Sequence, residues 1–167
     1  AAGAPIDELA FADWRQVMSV NLDGTFLTLQ AAMRAIRSGG QGGAIVLTAS
    51  VAGVKAEPGL AAYGASKAAV IHLARIAAKE GVADNIRVNA IAPGGVETPI
   101  WDTVPGFGEM VEAQGRESAF KAMAKVATPL GRFARPEEIA EQVPFLLSEK
   151  PAFTTGTVLL SDGGYSL

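Results

Sequence analysis

The stretch AIVLTASVAGVKAEPGLAAYGASK, residues 44–67, decides the fold of this chain. Its first part, Ala44–Thr48, is a short, continuously apolar run after two glycines, which predicts a strand covered on both faces in a parallel sheet. Glycine and proline in Val51–Leu60 predict a loop. The alanine-rich segment Ala61–Gly81 predicts a long helix that ends at a glycine. A strand, a loop and a helix in this order indicate one crossover unit of an α/β fold.

The segments on either side continue this alternation of helices and strands. Upstream, Asp7–Gly39 carries apolar residues at spacings of three and four, which predicts a helix. Asn21 and Gly24 are poor helix formers inside it, so we expect a kink or a polar functional position near Asn21. Downstream, the sequence predicts two strands and a helix, at Ile86–Ala92, Thr157–Ser161 and Pro136–Ser148. Residues 1–167 are therefore expected to belong to a single α/β domain.

A long connection, residues 97–128, has no firm helical register, although Gly115–Ala127 is a candidate helix. Connections of this length are usually functional or mobile, and this one is a candidate lid over a substrate. Its apolar residues either line a substrate pocket or pack on the sheet as a partly buried loop. These residues are Ile100, Trp101, Val104, Phe107, Met110, Val111, Phe120 and Met123.

Composition excludes several classes of function. Hydrophobic residues make up 49% and charged residues 19% of the chain, which is typical of a globular protein. The net charge of -3, without a run of one sign, argues against nucleic-acid and membrane partners and favours small molecules or proteins. The absence of cysteine excludes disulfides and thiolate chemistry, and the single His72 excludes a multi-histidine zinc site. With no secretory leader and no apolar stretch of roughly 18 residues, we expect a cytoplasmic protein without bound metal.

Tyr63 and Lys67 are four residues apart near the start of a predicted helix, so their side chains share one face, about one turn apart. A nearby cation favours the phenolate and makes a phenol a usable acid/base at neutral pH. This spacing alone is weak evidence, because it occurs by chance on many amphipathic helices. Ser50 adds weight, since it lies just beyond the carboxyl end of a predicted strand, where open parallel sheets place their ligands.

Four segments in order, Thr48–Gly53, Tyr63–Lys67, Asn89–Gly94 and Asp162–Gly164, resemble successive motifs of the short-chain dehydrogenase/reductase family. Ala1-Ala2-Gly3 resembles the end of a further family motif, Asn-Ala-Gly. The resemblance is to the single-domain type that acts on secondary alcohols. It implies a Rossmann-like doubly wound parallel sheet, of which this chain holds the C-terminal portion, with strands equivalent to the fifth to seventh.

The resemblance also implies roles for individual residues. Tyr63 would be the general acid/base, and Lys67 would lower its pKa and bind the cofactor ribose. Ser50 would hold the substrate oxygen. Asn21 would support a water-linked proton relay to the lysine. Taken alone, Ser50 is more often a turn or cap residue, and Asn21 a hydrogen-bonded polar residue of a helix.

The loop after the family's sixth strand is matched by Pro93, Gly94, Val96 and Thr98. These residues, together with Tyr63 and Lys67, would bind the cofactor, NAD or NADP, with the Val96 backbone and Thr98 contacting the nicotinamide carboxamide. The structural alternative is a tight turn. For Asp162-Gly163-Gly164, a turn after the last strand is the favoured interpretation, with subunit contacts as the alternative.

Family members begin with a strand, a glycine-rich turn and a helix that receive the cofactor pyrophosphate, and no such pattern occurs in this chain. The glycines of Gly39–Gly43 precede a strand instead of linking a strand to a helix, so they do not form that motif. The N-terminal cofactor-binding segment is therefore expected to be missing from this chain, and the strand at Ala44–Thr48 to have an exposed flank.

The resemblance predicts an NAD(P)-dependent oxidoreductase that interconverts a secondary alcohol and a ketone. A homodimer or homotetramer, assembled through the long helices, is expected. One alternative is a truncated, non-catalytic fragment that acts as an oligomerisation or binding module. Another is an epimerase or dehydratase of the extended relatives that share Tyr-x-x-x-Lys, against which the early Pro93-Gly94 loop and the short C-terminus speak.

Overall fold

The computed structural model describes residues 3–167, so Ala1 and Ala2 of the N-terminal resemblance lie outside the described residues. The centre of the fold is a three-stranded parallel sheet in the order β1-β2-β3. Its strands are β1 (Gly43–Thr48), β2 (Ile86–Pro93) and β3 (Val158–Ser161). The predicted strands and their parallel arrangement are confirmed, and β1 lies at an edge of the sheet, as expected for a strand with an exposed flank.

The first long helix is continuous but contains one irregular turn. Helix α1 (Phe11–Met18) passes through a π-helical turn (Ser19–Asp23) into helix α2 (Gly24–Gly39). The distortion predicted near Asn21 is therefore confirmed, and turns of this type are frequent at functional sites. The predicted start at Asp7 is wrong, because Ala10 is extended, with φ of -63° and ψ of 135°, and the helix begins after it.

Helix α3 (Ala61–Gly81) has the predicted bounds and packs against β2. Its small side chains permit a close approach: eight of its residues are buried, and five of these are alanine or glycine. The main core lies between the sheet and helices α2 and α3. It includes Leu29, Met33, Leu47, Val70, Ile71, Ala74, Ile86 and Val88.

The long connection is more ordered than the sequence pattern indicated. Helix α5 (Arg116–Ala127) confirms the candidate helix, whereas α4 (Phe107–Gln114) was not predicted. Gly106 and Gly108 weaken the helical signal there, since glycine is a poor helix former. The two helices enclose a second apolar cluster built around Phe107, Phe120 and Phe133.

The apolar residues of this connection fall into two groups. Ile100, Trp101 and Val104 line a cavity that is described below. The other five do not line this cavity, because they pack within or against the second cluster. These residues are Phe107, Met110, Val111, Phe120 and Met123.

The last helical segment is divided into α6 (Pro136–Ala140) and α7 (Gln142–Leu147), where one helix to Ser148 was predicted. Pro144 explains the break, because it lacks the N–H that would bond to the carbonyl of Ala140. Across residues 3–167, no helix combines the length and apolar character needed to cross a membrane.

Candidate active site

Ser50 lies two residues beyond strand β1 and is buried. Its backbone is extended, and its Oγ accepts a hydrogen bond from the Ala52 amide at 3.2 Å, which begins the 3-10 turn Val51–Gly53. The hydroxyl hydrogen of Ser50 is not used by this bond. The side chain is thus able to donate to a ligand oxygen while the turn holds it in place.

The turn after Ser50 lies directly on helix α3 because glycines remove the side chains between them. A Cβ on Gly53 would be 2.6 Å from the carbonyl carbon of Lys67. A Cβ on Gly64 would be 3.0 Å from the Ala52 carbonyl oxygen. This contact brings Ser50 and the first turns of α3 to the same cavity.

Tyr63 and Lys67 lie one turn apart on α3, as the spacing predicted. The Lys67 ammonium donates a hydrogen bond to the Thr48 carbonyl at 3.0 Å and lies 5.7 Å from the centre of the Tyr63 ring. Burial lowers the pKa of Lys67, because desolvation disfavours its charged form. The Lys67 side-chain nitrogen therefore lies beside the phenol at the carboxyl end of β1.

Asn21 is connected to the tyrosine's helix through a serine. Its Nδ2 donates to the Ser66 Oγ at 3.1 Å, and that hydroxyl donates to the Tyr63 carbonyl at 2.7 Å. Within residues 3–167, Asn21 makes no direct hydrogen bond to Lys67. The two side chains instead line a common cavity at the edge of β1.

The loop after β2 completes the cavity at the carboxyl ends of the strands. Pro93, Gly94, Val96 and Thr98 line the same space of about 380 Å³ as Ser50, Tyr63 and Lys67. All the predicted site residues except Asn21 are therefore found around one cavity.

Within this loop, the Val96 carbonyl accepts hydrogen bonds from the Trp101 indole at 2.7 Å and from the Thr98 amide at 2.8 Å. In the part of the chain that the structure describes, the Val96 amide makes no hydrogen bond. The loop is therefore fixed through the Val96 carbonyl, and its amide is free to donate to a ligand.

A second cavity, of about 450 Å³, shares Ser50, Tyr63 and Gly94 with the first. Its walls are largely apolar and come in part from the long connection. Glu57 and Tyr165 also line it, and the sequence reasoning missed both. The available signal was the glycine turn immediately before Tyr165. Nothing in the sequence predicts the contact between Glu57 and Tyr165, which are 108 positions apart. We refer to this space as the substrate cavity, after the role that is proposed for it below.

Comparison with known proteins agrees with this architecture. A family model described as enoyl-(acyl carrier protein) reductase matches residues 2–166. A cis-4-hydroxycyclohexanecarboxylate dehydrogenase of Sinomonas cyclohexanicum is 38% identical over 163 residues, which cover 98% of this chain and 60% of that protein. A 2,5-dichloro-2,5-cyclohexadiene-1,4-diol dehydrogenase of Sphingobium indicum is 37% identical over 165 residues, 99% of this chain and 62% of that protein.

Among solved structures, carveol dehydrogenase from Mycobacterium avium in complex with NAD superposes with a TM-score of 0.88 at 31% identity, covering 98% of this chain and 59% of that one. The fold is thus a partial Rossmann-like α/β fold. The chain belongs to the short-chain dehydrogenase/reductase family, whose members are NAD(P)-dependent oxidoreductases. It spans about 60% of the length of the curated relatives it matches.

Proposed function

We propose that the protein containing this chain interconverts a secondary alcohol and a ketone, with Tyr63 as the acid/base. The observation that carries this proposal is the convergence of Ser50, Tyr63 and Lys67 on one cavity at the carboxyl ends of β1 and β2. Ligands bind at this edge in open α/β sheets. A hydroxyl donor, a phenol and an ammonium are the groups that a developing alkoxide requires.

The donors around the cavity fit a nicotinamide nucleoside. The Lys67 ammonium and the Tyr63 hydroxyl suit ribose hydroxyls, and the free Val96 amide suits a carboxamide oxygen, with Thr98 beside it. When bound, NAD or NADP supplies the acceptor for the hydride that leaves the alcohol carbon with its electron pair.

Residues of this chain remove the hydroxyl proton of the alcohol. In oxidation, Ser50 Oγ donates a hydrogen bond to the substrate oxygen, and the hydroxyl proton passes to the Tyr63 oxygen. The O–H bond of the alcohol breaks as the phenol O–H forms. Lys67 stabilises the negative phenolate that accepts this proton, and Asn21, through Ser66, orients the helix turn that carries both groups.

The relatives support a ring-shaped substrate. Two of them are named for alcohols of six-membered rings, one with a carboxylate and one with a second hydroxyl. A largely apolar cavity of about 450 Å³ is of the size that holds small ligands. We therefore assign the substrate to cyclic secondary alcohols and their ketones.

A homodimer or homotetramer is the proposed assembly. Several large apolar side chains along α1, the π-helical turn and α2 are exposed, which is costly in an isolated chain. They are Phe11, Val20, Phe26 and Leu27. Light scattering on the intact protein tests this assignment, and a monomer would contradict it.

The decisive experiment is Tyr63→Phe in the intact protein as encoded. Turnover of cyclohexanol is expected to fall by about 100-fold or more, because the acid/base is lost. Nicotinamide cofactor binding, followed by fluorescence, is expected to persist. Retained turnover would refute the role of Tyr63. An intact protein that neither binds a nicotinamide cofactor nor oxidises an alcohol would instead favour the non-catalytic binding module.

A further inference from the structure

The substrate cavity contains a carboxylate that the proposed reaction does not use. Of the side chains that line this cavity in residues 3–167, Glu57 is the one that carries a formal charge. It is partly buried, at a wall made mainly of apolar side chains. A charge in such surroundings acts strongly on a ligand, because water screens it less than at an open surface.

Tyr165 holds this carboxylate in place. Its phenolic hydroxyl donates a hydrogen bond to Glu57 Oε1. Burial, and then this bond, raise the pKa of Tyr165 to about 12, so the phenol keeps its proton at neutral pH. Within the described part of the chain, the second oxygen, Oε2, accepts no hydrogen bond. One acceptor on the carboxylate is therefore free.

The turn before Tyr165 fixes its position. Asp162 Oδ1 accepts from the Gly164 amide at 3.0 Å, and Oδ2 accepts from the Ser166 amide at 2.9 Å. Gly163 and Gly164 have φ of 61° and 88°, in the left-handed region that favours glycine. The predicted turn at Asp162-Gly163-Gly164 is confirmed, and it presents Tyr165 to the substrate cavity.

A lysine supports the tyrosine without neutralising the carboxylate. The Lys55 ammonium donates to the Tyr165 carbonyl at 2.7 Å and lies 4.0 Å from the centre of its ring. In residues 3–167, Lys55 forms no ion pair with Glu57 and is not part of the cavity wall. The charge that faces the cavity is thus negative.

We propose that Glu57, positioned by Tyr165, is a specificity subsite that accepts a second hydroxyl group on a ring alcohol and rejects a carboxylate there. This inference rests on the proposed function, because the reacting hydroxyl must occupy the position at Ser50 and Tyr63. The free Oε2 accepts the second hydroxyl, whereas a substrate carboxylate meets a like charge that forms no ion pair with a cation in residues 3–167.

The test compares three alcohols that differ only in the second substituent: cyclohexanol, cyclohexane-1,4-diol and 4-hydroxycyclohexanecarboxylate. In the intact protein, kcat/KM is expected to be higher for the diol than for the carboxylate. Glu57→Gln keeps the shape and removes the charge, so the ratio of these two values is expected to fall by about 10-fold or more. Glu109→Gln, at an exposed position of α4, is the matched control and leaves the ratio unchanged.

Tyr165→Phe provides a second variant, because it removes the hydrogen bond and keeps the ring. It is expected to lower the same ratio by a smaller factor, since the charge remains. An unchanged ratio in Glu57→Gln, with all three alcohols still oxidised, would overturn the subsite and leave the proposed function standing. If none of the three is oxidised, the proposed function fails. The ratio of calorimetric Kd values for the diol and the carboxylate then tests Glu57, and a ratio that Glu57→Gln leaves unchanged would overturn the subsite.

Discussion

The Lys67 ammonium donates a hydrogen bond to the Thr48 carbonyl, 3.0 Å away, at the last residue of strand β1. This bond ties helix α3 to the end of the strand from which Ser50 follows. Because Tyr63 is one turn before Lys67, the same bond fixes where the phenol lies relative to the serine. A single contact thus joins the two elements that carry the proposed chemistry.

Lys67→Met is expected to lower kcat/KM of the intact enzyme by about 100-fold or more, because the charge that stabilises the phenolate is lost. The matched control is Lys79→Met, on an exposed position of the same helix, which should retain the activity. Steady-state kinetics with one ring alcohol measure both. Equal activity in the two variants would exclude the ammonium from the mechanism.

Gly53→Ala is expected to lower the free energy of unfolding by about 1–3 kcal/mol, because the new methyl group overpacks the contact. Its Cβ would lie 2.6 Å from the Lys67 backbone, which is too close for any carbon atom. The turn that carries Ser50 must then move, so activity should fall as well. Urea unfolding and kinetics measure the two effects.

Gly108→Ala is the control for that experiment. Gly108 lies within helix α4, and a Cβ there meets no atom within 4 Å. Alanine favours helix over glycine, so a gain of up to about 1 kcal/mol in the free energy of unfolding is expected. Similar losses in the free energy of unfolding of Gly53→Ala and Gly108→Ala would contradict the prediction that the close contact of Gly53 with α3 makes its substitution costly.

Asn89 is fully buried in β2 and joins that strand to the segment before β3. Its Nδ2 donates to the Thr154 carbonyl at 3.0 Å, and its Oδ1 accepts from the Thr157 amide at 3.1 Å. Asn89→Ala leaves the Thr157 amide unpaired and the Thr154 carbonyl with only a long hydrogen bond, from Arg87 Nη1 at 3.5 Å, and should reduce the free energy of unfolding by about 2–4 kcal/mol. Gln114→Ala, at an exposed amide, should have almost no effect. Thermal or urea denaturation of the two variants provides the comparison.

The carboxyl of Glu138 predicts a defined pH dependence. The hydrogen bond from the Arg132 guanidinium, followed by that from the Arg135 backbone, lowers the pKa of Glu138 from 4.5 to about 2. A carboxyl with a depressed pKa stabilises the folded state above its unfolded value and loses this contribution as pH falls through the folded value. The stability advantage of the native protein over Glu138→Gln should therefore decrease between pH 4.5 and about 2. An advantage that does not change across this interval would contradict the prediction.

The sequence predicted the elements that local pattern controls. The bounds of α3 and the three strands follow from apolar runs and glycine stops, which act within a few residues. The helix α4 and the break between α6 and α7 were missed. In α4, glycine weakens the periodicity, and packing around Phe107 and Phe120 supplies the stability instead. At Pro144, the missing N–H interrupts the helix, although the apolar residues continue at helical spacing.

For the site, the sequence by itself determined which groups are available and that Tyr63 and Lys67 share one helix face, because helical geometry fixes residues four positions apart. Only the tertiary structure decided that Ser50 reaches the same cavity and that Glu57 meets Tyr165. Contacts between residues distant in sequence depend on how strands pair and on how closely a turn can approach a helix. The packing of the whole chain sets how closely such residues approach each other, and no local spacing in the sequence encodes this.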